Sequence, residues 1–171
     1  HSFPTRRSSD LMQNFPPEMR YQYLAPLLGD PVRSVRVMAF DALTDIPPER
    51  FQASYRQAYD KVFPEYREML DMRADFPGGQ LQLARYLERR GKEVEAEKAL
   101  LKAIAQDSLF NAARINLAHL YHGQGKPEDA IDLFRLVTRI EPDYGPAYYS
   151  LGLLFAEQQD MEKAISYLRQ A

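Results

Sequence analysis

The chain has 171 residues, of which 45% are hydrophobic and 27% charged, with a formal net charge of −2, a profile that fits one globular domain or a short array. The near balance of charge leaves no basic footprint for nucleic acid and no acidic tail. The absence of cysteine excludes disulfides, thiolate metal sites, iron–sulfur clusters and covalently attached haem within these residues. The longest apolar runs, such as Leu151 to Ala156, fall far short of the roughly 20 residues that span a bilayer, so no membrane segment is expected.

Residues 1–11, His-Ser-Phe-Pro-Thr-Arg-Arg-Ser-Ser-Asp-Leu, have neither helical periodicity nor the apolar core of a signal peptide. They resemble one translated frame of a sequencing-adapter oligonucleotide and are set aside as an artefact, the alternative being a disordered arm. From residue 12 the pattern is helical. Pro16-Pro17-Glu18 signals a helix start, since proline is tolerated in a first turn whose N–H groups are unpaired anyway. That helix is predicted to run from about Glu18 to Leu28. Gly29-Asp30-Pro31 then ends it and begins the next, with Asp30 as cap and Pro31 in first position. The second helix carries Val32, Val35, Ala39 and Leu43 at spacings of three and four and stops before Pro47-Pro48.

The residues Leu24, Leu27, Leu28, Asp30-Pro31, Val35-Arg36, Ala39 and Ala42-Leu43 give segment 12–46 a pattern that resembles a HEAT-type helical hairpin. The resemblance implies an Asp-Pro turn that starts the second helix and an arginine, Arg36, that bridges to a neighbouring turn. Segment 47–76 is predicted to connect this pair to the second half of the chain, with Phe51, Tyr55, Tyr59, Val62, Phe63 and Tyr66 on its apolar side. Pro64 lies inside it, and an internal proline costs about 3 kcal/mol, so a kink or break is expected near Phe63.

The second half returns to the same pattern every 34 residues. Leu83, Leu117 and Leu151 keep that stride, as do Ala84, Ala118 and Gly152, then Leu87, Tyr121 and Phe155. Ala96, Ala130 and Ala164 keep it too, with Leu100, Phe134 and Leu168, and Ala103, Val137 and Ala171. A unit of this length holding two helical patterns cannot bury its apolar face alone, so copies must stack. Small residues recur where two helices cross at roughly 8–10 Å.

From Pro77 to Ala171 these columns resemble tetratricopeptide repeats, with units 77–110, 111–144 and a shorter 145–171. Gly91 and Gly125 fall at the turn between the two helices of a unit, and Gln159 stands there in the third. Gln80 and Arg114 occupy positions where a large aromatic is usual and Tyr148 supplies one, which predicts looser packing in the first two units. Ala171 falls within the second helix of its unit with no polar cap after it, so the sequence reads as part of a longer protein. The predicted fold class is all-α, a right-handed α-solenoid of antiparallel helix pairs, HEAT-like first and tetratricopeptide-like after.

No catalytic constellation emerges. His119 and His122 share one helix face, but two ligands without a carboxylate one turn away do not make a metal site. Gly123-Gln124-Gly125-Lys126 lacks the preceding strand, the glycine spacing and the hydroxyl residue of a phosphate loop, and Pro127 marks it as a helix–helix turn. Most tyrosines fall on apolar stripes and read as core with the hydroxyl at the rim. The carboxylates at Glu93, Glu95, Glu97, Glu128 and Asp129 read as solvated helix starts and outer faces.

The expected role is therefore a non-catalytic scaffold with no metal and no cofactor of its own, binding a peptide or a protein element. In the resembled fold the first helix of each unit lines a concave groove. The resemblance places Leu81, Arg85, Glu88, Ile115, Asn116, His119, His122, Tyr149 and Leu153 in it. One subfamily clamps a C-terminal carboxylate there; Asn116 fits its pattern and Leu81 and Ser150 do not. The alternative comes from the order of hairpin, long helix and repeats, which resembles the C-terminal region of exported bacterial multihaem cytochromes c. It would make the chain a docking appendage in the periplasm, with haem held upstream; otherwise a cytoplasmic location is expected.

Overall fold

The structure is a computed structural model that describes residues 15–171; the adapter-like segment 1–11 lies outside the described residues. Those residues are helical throughout and contain no strand. They divide into two compact units, one made of the chain up to Arg73 with Glu88–Gly91, the other of Ala74–Leu87 with Lys92–Ala171.

In the first unit α1 (Pro17–Leu24) passes into a 3-10 segment, Ala25–Gly29, and α2 (Arg33–Ala42) comes next. The sequence pattern places Pro31 inside α2; the helix instead starts two residues later. The Asp30 carboxylate accepts the Val32 N–H at 2.8 Å, which closes a tight turn before the first helical residue. Arg36 ties this turn down, donating from Nη1 to the carbonyls of Asp30 (2.8 Å) and Pro31 (2.9 Å). Its Nη2 reaches both oxygens of Glu65, at 2.9 and 2.8 Å, on α3 (Ala53–Arg73). Arg20 is buried at 5% exposure, and a buried cation is tolerable only when paired. It ion-pairs with Asp45 and donates to the Ala42 carbonyl at 2.8 Å, closing the end of α2.

The core of this unit is aromatic. Phe40 stacks on Tyr59 with ring centroids 4.3 Å apart and tilts against Tyr66 at 4.9 Å, while the Tyr66 hydroxyl donates to Asp41 at 2.6 Å. This packing explains a departure from the sequence reading. The expected break at Pro64 is absent, and α3 is one helix from Ala53 to Arg73 with Pro64 inside. Tyr59, Val62, Tyr66 and Leu70 are buried along one side while Asp60 and Pro64 lie on the exposed side. The carbonyl that loses its partner thus sits on the face open to water, and the buried stripe holds the axis together.

The second unit pairs helices in order: α4 (Pro77–Arg89) and α5 (Glu93–Gln106), α6 (Asn111–Gly123) and α7 (Pro127–Ile140), α8 (Gly145–Glu157) and α9 (Met161–Leu168). Ala84, Ala96, Ala118 and Ala130 are fully enclosed, and Ala164 nearly so. Gly152 shows why small residues are required at these crossings: a Cβ there would lie 2.6 Å from Leu168 Cγ and 3.3 Å from the Ala164 carbonyl. Ala84, Ala96, Leu100, Ala103 and Leu117 form one core cluster; Ala118, Ala130, Phe134, Leu151 and Phe155 form the next. The stacking is continuous because α6 contributes to both.

Looser packing at Gln80 and Arg114 is not what the structure shows. The two residues are 2% and 4% exposed. Gln80 donates to the Ala74 carbonyl and Arg114 to the Ser108 carbonyl, each six residues upstream, and Arg114 Nη1 also reaches Asn111 Oδ1 at 3.2 Å. Polar side chains fill the aromatic slot and satisfy the turn that leads into their own helix.

The turns within the pairs share one geometry. Lys126 N–H donates to the Tyr121 carbonyl at 2.9 Å, and Asp160 N–H to the Phe155 carbonyl at 2.9 Å. Each requires a left-handed residue between, Gly125 at φ 73° and Gln159 at φ 64°. A non-glycine residue in that region costs about 1–2 kcal/mol, partly offset by the greater chain entropy that glycine loses on folding. Gln159→Gly is therefore expected to stabilise the chain by about 0.5–1 kcal/mol and raise the thermal midpoint by about 1–4 °C. Differential scanning calorimetry checks this; an unchanged or lowered midpoint contradicts the turn geometry.

Candidate functional site

Each first helix of the second unit turns one side toward its own partner helix, through Ala84, Ala118 and Gly152. An adjoining side, at spacings of four and then three residues, is left for other contacts. On that side the positions 81 and 85, then 115, 119 and 122, then 149 and 153 repeat from helix to helix. Side-chain bridges join the three first helices along it. Arg85 Nε on α4 lies 3.5 Å from Asn116 Oδ1 on α6, a long contact, while Asn116 Nδ2 donates to the Ala112 carbonyl at 2.7 Å. His122 Nε2 on α6 lies 2.7 Å from Glu157 Oε2 on α8. Both bridges are exposed and each is worth at most about 1 kcal/mol, so they orient side chains more than they hold the fold.

The nine residues assigned to this face by sequence differ in exposure. Tyr149 and Leu153 are 53% and 44% exposed, one turn apart on α8. Arg85, His119 and His122 are exposed, and Asn116 and Ile115 half-buried, Ile115 packing against the second core cluster. Leu81, at 9% exposure, packs in the core with Ala84 and Leu100. Glu88 is half-buried on α4, at the register position that His122 holds on α6.

Glu157 is a member of the face that the sequence reading misses. Its signal is present in the stride: it stands 35 residues after His122, one more than the repeat length, which brings it beside His122 on the neighbouring first helix. Tyr121 behaves as its column predicts, with a half-buried ring and its hydroxyl donating to Glu97 Oε1 at 2.9 Å. Burial first, and then the Glu97 carboxylate, push that hydroxyl up to about 12.

His119 sits edge-on to Phe134, with ring centroids 5.3 Å apart. Loss of water on that flank, and next the charge of His122, hold its imidazole below the ordinary 6.5. The face is thus lined near neutral pH by an uncharged ring at its centre. Among the described residues no group of three or more His, Cys, Asp or Glu side chains could hold a metal ion, and no helix is long and apolar enough to cross a membrane.

Proton NMR titration of the imidazole Cε1–H resonances checks the His119 environment. His119 is expected to titrate below 6.5 in the folded protein, and His122→Ala to raise its midpoint part of the way back, burial being the larger cause. The sign is set by linkage: a lowered folded-state value contributes stability above the unfolded value of 6.5 that is lost as the pH falls through the folded one. A midpoint at or above 6.5 contradicts the contact with Phe134.

Comparison with known proteins agrees with this geometry. A tetratricopeptide repeat profile matches residues 81–145 and a second matches residues 145–171. No curated protein sequence matches the chain significantly. Among solved structures the chain is similar to a crystal structure of the MamA protein, with 17% identity and a TM-score of 0.58 over 90% of this chain and 88% of that one. A second MamA crystal structure matches at 17% identity and a TM-score of 0.57, covering 99% of this chain and 94% of that one. The hetero-tetramer Cut9-Hcn1 matches at 18% identity and a TM-score of 0.57 over 96% of this chain, which spans 34% of the matched one. At these identities the likeness shows the fold: stacked helix pairs, here as in those proteins.

Proposed function

Residues 81–171 of this chain belong to the tetratricopeptide repeats, and from that premise we propose that it is a non-catalytic scaffold that binds a peptide or protein element along the first helices of its repeats. The observation that carries the reading is the exposed pair Tyr149 and Leu153, in register with Ile115 and His119 of α6. Two large apolar groups left open one turn apart on the same helix offer anchors for a partner, and aromatic residues are over-represented among such anchors. Arg85, Asn116, His122 and Glu157 surround them with polar groups that fix register and direction. A row of parallel first helices offers an extended partner the same chemistry at each step, which is how solenoids bind linear segments. The Cut9-Hcn1 assembly, a hetero-tetramer built on a similar fold, is in keeping with a role in holding protein chains together.

The test is a binding map. Random dodecapeptides displayed on phage are selected against the full chain, and the strongest binder is titrated into isotope-labelled protein. Shift changes are expected to concentrate at Arg85, Asn116, His119, Tyr149 and Leu153, and Tyr149→Ala is expected to weaken binding by about tenfold or more. Shift changes confined to α5, α7 and α9, or to the first unit, overturn the reading.

A further inference from the structure

One helix face of the second unit is open although the repeat pattern covers its counterpart. Ile131 and Phe134 on α7 are 0% and 2% exposed, enclosed with Ala147, Leu151 and Leu154 of α8 in one core cluster. Ile165 and Leu168 on α9 stand 34 residues later, in the same two columns. They are 51% and 40% exposed, and Met161, one turn before Ile165, is 55% exposed. These three residues follow the four-then-three spacing of a single stripe, so what fits there, as on α7, is the apolar side of another helix.

The charges beside the stripe select that helix. Glu162 and Arg169 are seven residues apart, close to two full turns, and so border the stripe on one flank. Arg169 keeps helical backbone at the C-cap, with φ −73° and ψ −20°. Both side chains are exposed and neither has an ion-pair partner among the described residues, whereas Lys163 and Asp160 already pair with each other at 2.6 Å. A two-fold axis that relates two antiparallel helices sets like flanks side by side in opposite order. Laid against itself in this way, α9 brings Glu162 toward Arg169 of the other copy and Arg169 toward its Glu162, one pair near each end of the stripe. The flank is self-complementary in charge as the stripe is in shape.

We propose that α9 is a self-association surface, on which a second copy of this chain docks antiparallel through Met161, Ile165 and Leu168 with two symmetric Glu162–Arg169 pairs. The face belongs to a second helix of the array, so the proposal stands or falls apart from the groove reading above. Because the same patch serves on both sides, assembly closes at two copies. A contact of about two helical turns per copy falls below the area of standard interfaces, so the dimer is weak, half-formed at on the order of 100 µM.

Sedimentation equilibrium of the full chain from about 10 µM to about 1 mM tests this. The mass is expected to rise from one chain to two and no further. Glu162, Ile165 and Arg169 are exposed, so substitutions there leave the fold in place, which circular dichroism verifies. Ile165→Asp is expected to keep the chain monomeric across the range. Glu162→Arg is expected to weaken the dimer about tenfold by setting arginine against arginine, and Glu162→Arg with Arg169→Glu to restore the unaltered affinity within about twofold. A single-chain mass throughout, a mass that grows past two copies, or a dimer indifferent to Ile165→Asp overturns the proposal. So does a double variant no tighter than Glu162→Arg alone, because a contact in another orientation would not respond to the exchange.

Discussion

The close approach of paired helices at small side chains is the constraint on which the second unit depends. Ala84 and Ala96, Ala118 and Ala130, and Gly152 and Ala164 stand at the crossings, and all are buried. That contact has two consequences. It sets the rotation of each first helix about its axis, which leaves positions 85, 119 and 153 exposed beside the pair rather than buried within it. It also lets the larger residues, Leu100 and Phe134, reach across the gap and join successive pairs into a continuous core. The exposed face of the first helices is thus a by-product of packing: the residues that hold the array are not the ones left open on it, but they aim the ones that are.

Polar side chains perform a second structural task that hydrophobic patterning does not describe. Gln80 and Arg114 each bond to a carbonyl six residues upstream from within a buried slot. In the first unit Arg20 and Arg36 do the same for the ends of α2, one at its last turn and one at the turn before it. Backbone carbonyls near helix ends have no intrahelical partner, and burying them unsatisfied costs about 1–3 kcal/mol each. A long side chain that carries several donors relieves this while its stem still fills space. That accounts for a chain with polar residues in aromatic positions and no sign of a gap there.

How much of the molecule is legible in its sequence depends on whether a signal repeats. The stride of 34 residues exposes the helix pairs, the small-residue crossings and the turn positions, including Gln159 in place of glycine, because each recurs in register. Non-repeating features are harder. The passage of α3 through Pro64 depends on tertiary burial of Tyr59, Val62 and Tyr66, which local propensity does not contain. Leu81 and Tyr149 share one register position, yet one is core and the other open, a difference that the place in the repeat does not contain. Glu157 opposite His122 needs the offset between neighbouring first helices, one residue beyond the repeat length. Gln80 and Arg114 look like substitutions that weaken packing; their acceptors lie in the preceding turn, which an apolar pattern does not show.

The most direct measurement is a double-mutant cycle on Ala118→Val and Ala130→Val, read out by denaturant unfolding. Both residues are fully buried in the cluster shared by α6 and α7. Each single change is expected to cost about 1–3 kcal/mol by overpacking. If the two helices meet at these side chains, the pair is expected to couple by about 0.5–3 kcal/mol, since the first insertion already forces apart the helices that the second would separate. Costs that simply add, within about 0.5 kcal/mol, would contradict the contact on which the stacking and the orientation of the exposed first-helix face both rest.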